Sequence, residues 1–261
     1  KITFGSKELT VQNIETFSFK DVDLALFSAG SEVSKIYAPK AEAAGCYVID
    51  NSSYFRMHKD IPLIIPEVNI GDIAKYKSKI IANPNCSTIQ MLVALKPLHD
   101  LAIIKRIVVS TYQSVSGAGK AGMDELYFQT KGLFENKPVK MEQFTKQISF
   151  NVIPHIDVFL ADGSTKEEWK MIQETKKILD PNIEVSATCV RCPIFLGHAE
   201  SVNVEFEEPI SEKEAYKALA NADGVLVVDR RADGGYITPK EVAKDDDVYV
   251  SRLRKDPSVK H

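Results

Sequence analysis

The sequence lacks an apolar run approaching the roughly 20 residues that a helix needs to cross a membrane. It also lacks the basic, apolar and small-residue pattern of a secretory signal. Cysteine is scarce, with four in 261 residues, too few for the disulfide framework of a small secreted domain. We therefore expect a cytoplasmic protein that folds around a hydrophobic core without disulfides.

A surplus of basic charge is missing as well. Lys and Arg number 33 against 36 Asp and Glu, which gives a formal net charge of −3. Such a chain has no electrostatic basis for binding nucleic acid or an acidic membrane surface. The content of 44% hydrophobic and 26% charged residues is typical of a soluble globular protein.

Metal-binding motifs are not found either. Cys189 and Cys192 are spaced as C-x-x-C, but no second pair and no histidine at ligand spacing accompanies them. The pair also falls within a predicted strand, whereas redox-active pairs lie at the start of a helix. Neither a zinc site nor a redox site is predicted.

The first part of the chain alternates short apolar strands with helices. The best-defined helix is predicted over 32–44. Four strands share the apolar, β-branched character: 24–29, 46–50, 62–66 and 79–82. This alternation favours a parallel sheet covered on both faces, and such sheets bind ligands beyond the carboxyl ends of their strands. Three corners of small residues follow those ends: 28–30, 51–53 and 83–86.

After residue 82 the pattern changes to long strands with fewer helices between them. The candidates are 103–115, 183–192 and 199–206, with 248–253 as a further member. This pattern favours a mixed or largely antiparallel sheet. We predict an α/β protein of two domains, in which residues 1–82 carry the parallel sheet and residues 83–261 form an α+β domain with a mixed sheet.

Cys86 stands at a corner between a strand and a helix. Asn83-Pro84 ends the strand 79–82, and residues 89–98 carry helical apolar spacing. Asn85 or Ser87 can cap that helix. Unpaired N–H groups and the positive dipole end of a helix N-terminus favour a thiolate. The pattern is typical of a nucleophile, and a small buried cysteine is the structural alternative.

A nucleophilic cysteine needs a base, and His198 is the candidate. It follows Gly197 on a predicted turn after the strand 183–192. A single histidine on a turn is usually a surface group, so the prediction depends on Cys86.

Residues 117–122 spell G-x-G-x-x-G and are followed by a helix predicted over 123–131. A dinucleotide-binding loop opens the first βαβ unit, and an acidic residue ends a second strand about 20 residues later. The stretch around Glu142 is not predicted to be such a strand. We interpret the loop as one whose backbone touches a ligand, with a purely structural tight turn as the alternative.

A further helix is predicted from Thr165 to about Leu179. Thr165 is a suitable N-cap, and Glu168 can complete a capping box. Glu167 and Lys170 share one helix face, where the plainest interpretation is a solvated ion pair.

Two motifs stand in the first part of the chain, D-N-S-S-Y-F-R-M at 50–57 and P-E-V-N at 66–69. The others are N-P-N-C-S-T at 83–88, T-Y-Q-S-V-S-G-A-G at 111–119, N-V-I-P-H at 151–155, E-E-W-K-M at 167–171 and Arg191 through G-H-A-E at 197–200. Together these motifs resemble the aspartate-semialdehyde dehydrogenase family, and they follow the family's order over nearly the whole chain.

The resemblance implies an enzyme that uses NADP to interconvert L-aspartyl 4-phosphate and L-aspartate 4-semialdehyde, in lysine, threonine and methionine biosynthesis. Cys86 would form a thioester with the substrate, and His198 would act as general base. Gln113 would orient the substrate against that thioester. Arg191 would bind the substrate carboxylate and Glu167 its ammonium group.

The resemblance also implies a phosphate site and a cofactor site. The phosphate-binding residues would be Arg56, Lys170 and Asn85. The cofactor-binding residues would be Ser28, Ala29, Gly30, Ser116 and Gly117. In this interpretation residues 1–82 are a Rossmann-like NADP-binding domain, and residues 83–261 are the catalytic and dimerisation domain of a homodimer or homotetramer.

Some family features have no counterpart in these 261 residues. They are the glycine-rich turn that binds the cofactor pyrophosphate and a C-terminal helix that packs on the NADP domain, so we expect an incomplete NADP domain. Cys192 also replaces a residue that is usually aliphatic in the family. Two alternatives remain open. One is a related phosphorylating dehydrogenase of the N-acetyl-glutamyl-phosphate or glyceraldehyde-phosphate type, and the other is a catalytically idle fragment.

Overall fold

The computed structural model describes residues 1–261. It divides into two compact units, one of residues 1–64 and 69–84 and the other of residues 65–68 and 85–261. The predicted functional division at residue 82 stays a prediction. No helix is long and apolar enough to cross a membrane.

The first unit contains a three-stranded parallel sheet in the order β3-β4-β5. The parallel sheet predicted for the first part of the chain is therefore confirmed. A short antiparallel hairpin, β1-β2, precedes it. Along residues 1–84 the elements are β1 (Ile2–Phe4), β2 (Lys7–Leu9), β3 (Leu24–Phe27), α1 (Ser31–Ala43), β4 (Tyr47–Asp50), α2 (Pro66–Asn69), a 3₁₀ turn (Ile70–Lys75) and β5 (Ile80–Ala82). Of these, α2 belongs mostly to the second unit.

The prediction of a strand over 62–66 is wrong. This segment lies beside β5 but makes only a single parallel bridge, between Leu63 and Ala82. The Ala82 N–H donates to the Pro62 carbonyl and the Ile64 N–H donates to the Ala82 carbonyl. Pro62 and Pro66 have no N–H to donate, so the ladder cannot extend in either direction.

The second unit is built on a three-stranded mixed sheet in the order β7-β6-β8. β6 pairs in parallel with β7 and antiparallel with β8, which confirms the predicted mixed sheet. Its elements are α3 (Cys86–Leu101), β6 (Ile104–Gln113), a 3₁₀ turn (Val115–Ala118), α4 (Gly119–Phe134), α5 (Lys166–Ile178), β7 (Glu184–Arg191), β8 (Ala199–Phe206), α6 (Glu212–Ala220), β9 (Val225–Val227), α7 (Pro239–Val242) and β10 (Val248–Val250).

The segment 248–253 does not join this sheet, contrary to the prediction. Its first three residues form β10, which pairs in parallel with β9 in a separate two-stranded sheet. Arg252 then adopts a φ of 62°, a left-handed conformation that a strand cannot contain. Apolar content alone did not indicate which partner this strand would find.

The register of the mixed sheet brings three chain segments to one end of it. Gln113 pairs with Arg191 at the carboxyl ends of the parallel strands β6 and β7. Tyr112 pairs with Ala199 at the amino end of β8, so His198 lies at the same end of the sheet. Ile107 and Val109, in the middle of β6, are almost fully buried. Each such side chain stabilises the fold by about 1.5–3 kcal/mol, so burial along β6 stabilises the sheet that carries the three ends.

α5 begins as predicted. The Thr165 side chain accepts from the Glu168 N–H, and the Glu168 carboxylate accepts from the Thr165 N–H at 2.7 Å, so the capping box is confirmed. The other Glu168 oxygen accepts from the Cys189 N–H at 3.0 Å. Glu168 therefore also joins the helix to β7.

Candidate active site

Cys86 is the first residue of α3. Asn85 is the N-cap, because its side-chain oxygen accepts from the Ser87 N–H at 3.0 Å and from the Thr88 N–H at 3.2 Å. The Cys86 side chain is exposed, unlike the buried residues around it. The thiol thus lies beside the positive end of the helix dipole, where a negative sulfur is stabilised.

His198 lies in contact with Cys86. Its Nε2 atom is 3.2 Å from the Cys86 Sγ atom. Gly197 just before it has a φ of 83°, and a Cβ atom there would lie 3.0 Å from Pro239 Cβ. A glycine is therefore needed to turn the chain and aim the imidazole at the sulfur.

The electrostatic surroundings keep His198 neutral. Burial lowers the pKa of the imidazole below its ordinary value, and the positive charge of Arg191 lowers it further, while the Glu167 carboxylate and the Gly197 carbonyl act in the opposite direction. At neutral pH the ring is consequently an uncharged imidazole beside Cys86.

Glu167 lies at the centre of a hydrogen-bond network. One carboxylate oxygen accepts from Asn85 Nδ2 at 2.8 Å and from Gln113 Nε2 at 3.1 Å, and the other contacts Lys170 Nζ at 3.1 Å. Burial alone would raise the pKa of Glu167, but the Lys170 charge and the donated hydrogen bonds lower it overall. The buried carboxylate stays ionised. Gln113 also donates to the Ser87 hydroxyl.

Glu174 was not identified from the sequence. It is buried on α5, and its carboxylate accepts from the Asn85 N–H at 2.6 Å. Both glutamates thus bind Asn85 at the start of α3. Glu167 binds its side chain, and Glu174 binds its main-chain N–H. The seven-residue spacing of these two glutamates places them on the same face as buried Met171, which was the available sequence signal.

Lys170 is placed between two carboxylates. Its Nζ atom lies 2.7 Å from Asp157 and 3.1 Å from Glu167. Burial would lower the pKa of Lys170, yet these carboxylates raise it overall, and the same contact lowers the pKa of Asp157. The side chains of Lys170 and Glu167 are only 14% and 8% exposed, so the interpretation as a solvated surface pair is wrong.

Arg191 is buried, and a main-chain carbonyl binds one end of its guanidinium. Its Nη1 atom donates to the Ser114 carbonyl at 2.7 Å. Gly117 lies so close that a Cβ atom there would be 3.0 Å from Nη1. The guanidinium borders a cavity of about 260 Å³, whose wall includes Phe144, Ile153, His155 and Asp157. Neither Cys86 nor His198 lines this cavity.

The G-x-G-x-x-G stretch is explained by packing. Gly117 allows the close approach of Arg191, and Gly122 lies in α4 where a Cβ atom would be only 2.7 Å from Ala118 Cβ. Ser116 Oγ lies 2.9 Å from Ser114 Oγ. The part of the loop that touches site residues is thus 116–117, and the later glycine is structural.

In the first unit the small-residue corners meet at the carboxyl edge of the parallel sheet. Asn51 Nδ2 lies 3.5 Å from Ser28 Oγ, and Asn51 Oδ1 accepts from Asn83 Nδ2 at 2.8 Å. Ala29 and Gly30 complete the first corner. Gly30 is the N-cap of α1, with a φ of 90° and no side-chain cap. The main-chain N–H groups at the start of α1 are therefore not capped by a side chain.

Arg56 lies on the segment that follows β4. It is buried, and its Nη2 atom donates to the Asn51 carbonyl at 3.1 Å. Asp50, fully buried at the end of β4, accepts from Ser34 Oγ at 2.7 Å and from Ser52 Oγ at 2.8 Å. These bonds fix the corner that precedes Arg56 in the chain. Its role toward phosphate stays a prediction.

The four cysteines are expected to differ sharply in reactivity. Burial raises the pKa of Cys46 and of Cys192, and it raises that of Cys189 to about 12. Only Cys86 is exposed, so brief treatment with iodoacetamide at pH 7 should alkylate it first, and peptide mass spectrometry measures the order. Equal labelling of Cys46 or Cys192 would show that Cys86 is not an activated thiol.

Two family models match the chain. The model described as semialdehyde dehydrogenase, NAD binding domain, matches residues 1–76, and the one described as semialdehyde dehydrogenase, dimerisation domain, matches residues 95–261. The fold and the matched domains are those of an oxidoreductase of the semialdehyde dehydrogenase class. The predicted α/β architecture, a parallel-sheet nucleotide domain with a mixed-sheet dimerisation domain, is thereby confirmed.

The chain belongs to the aspartate-semialdehyde dehydrogenase family. It is 54% identical over 259 residues to aspartate-semialdehyde dehydrogenase of Aquifex aeolicus, covering 98% of this chain and 76% of that protein. It matches the crystal structure of aspartate semialdehyde dehydrogenase II from Vibrio cholerae complexed with ASA, with a TM-score of 0.95 and 50% identity, over 99% of this chain and 77% of that one. The other phosphorylating dehydrogenases are not favoured by these matches.

A more distant relative shares the fold alone. The structure of aspartate semialdehyde dehydrogenase with NADP from Candida albicans has a TM-score of 0.65 and 23% identity, over 90% of this chain and 69% of that one. The similarities to the Aquifex and Vibrio proteins confirm the family resemblance found from the motifs.

Proposed function

We propose that this protein reduces L-aspartyl 4-phosphate to L-aspartate 4-semialdehyde and phosphate with NADPH, through a thioester on Cys86. The observation that supports this most strongly is the contact of 3.2 Å between Cys86 Sγ and His198 Nε2 at the start of α3. A thiolate at a helix N-terminus with a neutral imidazole beside it is suited to attack an acyl carbon.

Cys86 carries the covalent step. Its sulfur bonds to the acyl carbon as the bond from that carbon to the phosphate oxygen breaks, and phosphate leaves with the electron pair. When bound, NADPH supplies the hydride that reduces the thioester. The C–S bond then breaks as the aldehyde carbonyl forms, and the thiolate is regenerated. His198 hydrogen-bonds to the sulfur and the substrate oxygen and serves as their acid–base partner.

Arg191 and Glu167 bind the two charged groups of the substrate. The planar guanidinium of Arg191 can accept a carboxylate in a bidentate arrangement, because only one of its terminal nitrogens is committed to the Ser114 carbonyl. Glu167 is ionised and receives the ammonium group. Gln113 Nε2 donates to the Glu167 carboxylate and to the Ser87 hydroxyl, and these bonds support its proposed role in orienting the substrate against the thioester.

Lys170 and Asn85 in the second unit are proposed to bind phosphate, and Arg56 in the first unit is a further proposed phosphate-binding residue. Lys170 keeps its charge because two carboxylates stabilise it. Asn85 Nδ2 donates one hydrogen to Glu167 and has a second to offer. Arg56 has a planar donor group suited to phosphate oxygens.

In the first unit, Ser28, Ala29 and Gly30 would contact the dinucleotide. Gly30 fits this purpose because a Cβ atom there would meet nothing within 4 Å, so a ligand can approach the backbone at the start of α1. Ser28 and Ala29 would line the same cleft, and Ser116 and Gly117 would lie at the nicotinamide. The same proposal includes NADP rather than NAD as the cofactor and a role in lysine, threonine and methionine biosynthesis. It also includes a cytoplasmic location and assembly as a homodimer or homotetramer.

The test compares substrates and cofactors in the oxidative direction, which needs the stable aldehydes. Purified protein is assayed with phosphate and either NADP or NAD on aspartate semialdehyde, N-acetyl-glutamate semialdehyde and glyceraldehyde 3-phosphate. We expect NADP reduction with aspartate semialdehyde and none with the other two aldehydes. Preference for another aldehyde would refute the substrate, faster reduction of NAD would refute the cofactor, and no turnover with any would favour a catalytically idle protein.

A further inference from the structure

Ser114 lies between the end of β6 and the turn 115–118, and it contacts the His198 ring nitrogen that faces away from Cys86. Its main-chain N–H donates to His198 Nδ1 at 3.0 Å, and its hydroxyl oxygen lies 3.1 Å from the same atom. Ser114 is fully buried. Two of its polar groups therefore converge on one ring nitrogen.

The main-chain contact determines where the neutral ring carries its hydrogen. A backbone N–H can only donate, so the Nδ1 atom that receives it presents a lone pair. In a neutral imidazole the other nitrogen then holds the hydrogen. Nε2 is that nitrogen, and it lies 3.2 Å from Cys86 Sγ. The resting ring thus donates to sulfur, and an ionised sulfur is the better acceptor.

Exchange of a proton at Nε2 needs the opposite arrangement. A neutral ring can take up a proton at Nε2 only when its single hydrogen is on Nδ1. A hydrogen on Nδ1 would point at the hydrogen of the Ser114 N–H, which is unfavourable. The Ser114 hydroxyl oxygen can accept it. The hydroxyl hydrogen then turns toward Ser116 Oγ, 2.9 Å away. A hydroxyl both donates and accepts, so Ser114 can support the ring in either state.

The charged groups around the ring make this acceptor important. Burial and the Arg191 charge lower the pKa of His198, whereas the Glu167 carboxylate and the Gly197 carbonyl favour protonation. Arg191 also donates to the Ser114 carbonyl at 2.7 Å, so the cation and the imidazole share this one residue. A ring beside a buried cation needs a well-placed acceptor before Nδ1 can hold a proton.

Resting on the proposed function of this site, we propose that Ser114 is a positioning residue that sets the hydrogen positions of His198. Its main-chain N–H holds the resting ring with the hydrogen on Nε2, directed at Cys86. Its hydroxyl, backed by Ser116, accepts the Nδ1 hydrogen whenever Nε2 exchanges a proton with the substrate oxygen or the sulfur.

The resting state is tested by NMR on protein labelled with ¹⁵N-histidine. The His198 signals are assigned by their loss in His198→Asn, and the two nitrogen shifts are followed with pH. We expect the neutral ring to be protonated at Nε2 and unprotonated at Nδ1. A neutral ring with its hydrogen on Nδ1 would overturn the proposal.

The hydroxyl is tested by Ser114→Ala, which keeps the main-chain N–H. We expect the same neutral tautomer, a lower His198 pKa in the NMR titration, and a fall in kcat of about ten- to a hundredfold with KM for the semialdehyde nearly unchanged. Ser114→Thr keeps a hydroxyl and should restore both the pKa and kcat. Ser110→Ala, on the preceding strand β6, is the matched control and should change neither.

Other outcomes are equally decisive. An unchanged His198 pKa in Ser114→Ala, or the same shift in Ser110→Ala, would refute the role of the hydroxyl. If circular dichroism shows that Ser114→Ala is unfolded, Ser116→Ala is used instead, and its His198 pKa must fall in the same direction. The NMR measurements need no substrate, so they distinguish failure of this inference from failure of the proposed function.

Discussion

Replacing Cys86 with alanine is expected to lower kcat on the order of a millionfold, which leaves essentially no turnover. The alanine cannot form the thioester, and no neighbouring group can replace the sulfur as nucleophile. The fold should be unaffected, because Cys86 is exposed and Asn85 caps α3 through its own side chain. Steady-state kinetics measure the loss, and thermal unfolding checks the fold.

Two variants control this result. Cys86→Ser keeps the shape but offers a far less acidic group, so it should be nearly as inactive as the alanine variant. Cys192→Ala removes a buried thiol next to Arg191 in the chain and should keep most of the activity. Activity in Cys86→Ala within a hundredfold of the unmodified protein would mean that the reaction does not pass through this sulfur.

Arg191→Lys is expected to lower kcat/KM for aspartate semialdehyde by about a hundredfold to ten-thousandfold. A lysine ammonium is a point charge and cannot hold the Ser114 carbonyl and both carboxylate oxygens in one plane. A misplaced substrate presents its carbonyl carbon poorly to Cys86, so kcat should fall as well as substrate affinity. The measurement is the full kinetic analysis of both substrates.

The controls separate recognition of carboxylate from recognition of phosphate. Arg231→Lys changes an exposed arginine paired with Glu212, and it should leave kinetics unchanged. An aldehyde without a carboxylate should be used equally slowly by the unmodified protein and by Arg191→Lys. Arg56→Ala should raise KM for phosphate more than KM for the semialdehyde. If Arg191→Lys and Arg56→Ala weakened both substrates equally, the proposed division of roles would be wrong.

The parts of the site that depend on local chain geometry could be predicted from the sequence. The helix start at Cys86 follows from Asn83-Pro84 and the apolar spacing after it, and the Thr165 capping box follows from its partner three residues later. In both cases the atoms that interact are near neighbours in the chain. Local propensity then determines the outcome.

The parts that depend on strand register could not be predicted. Gln113 and Arg191 are adjacent because β6 and β7 pair in parallel, although 78 residues separate them in the chain. The prediction that segment 248–253 joins the mixed sheet was wrong for the same reason. Pairing over such distances is set by the packing of the whole unit, which hydrophobic pattern alone does not describe.

The supporting residues were missed for another reason. Glu174 acts through the backbone of Asn85, and Ser114 acts through its own main-chain N–H. Backbone contacts place no demand on the side-chain type of the residue that provides the N–H, so they leave little trace in a single sequence. The role of a charged residue depends on whether it is buried, which the sequence alone does not tell, as the buried Glu167 and Lys170 demonstrate.

The measurement that tests the central proposal most directly is mass spectrometry of the acyl-enzyme. Purified protein is mixed with aspartate semialdehyde and NADP without phosphate, quenched in acid and digested. The proposal predicts one aspartyl group in thioester linkage on the peptide that contains Cys86, formed along with NADPH and lost when phosphate is added before quenching. NADPH formation with an unmodified Cys86 peptide, or the aspartyl group on another residue, would contradict it.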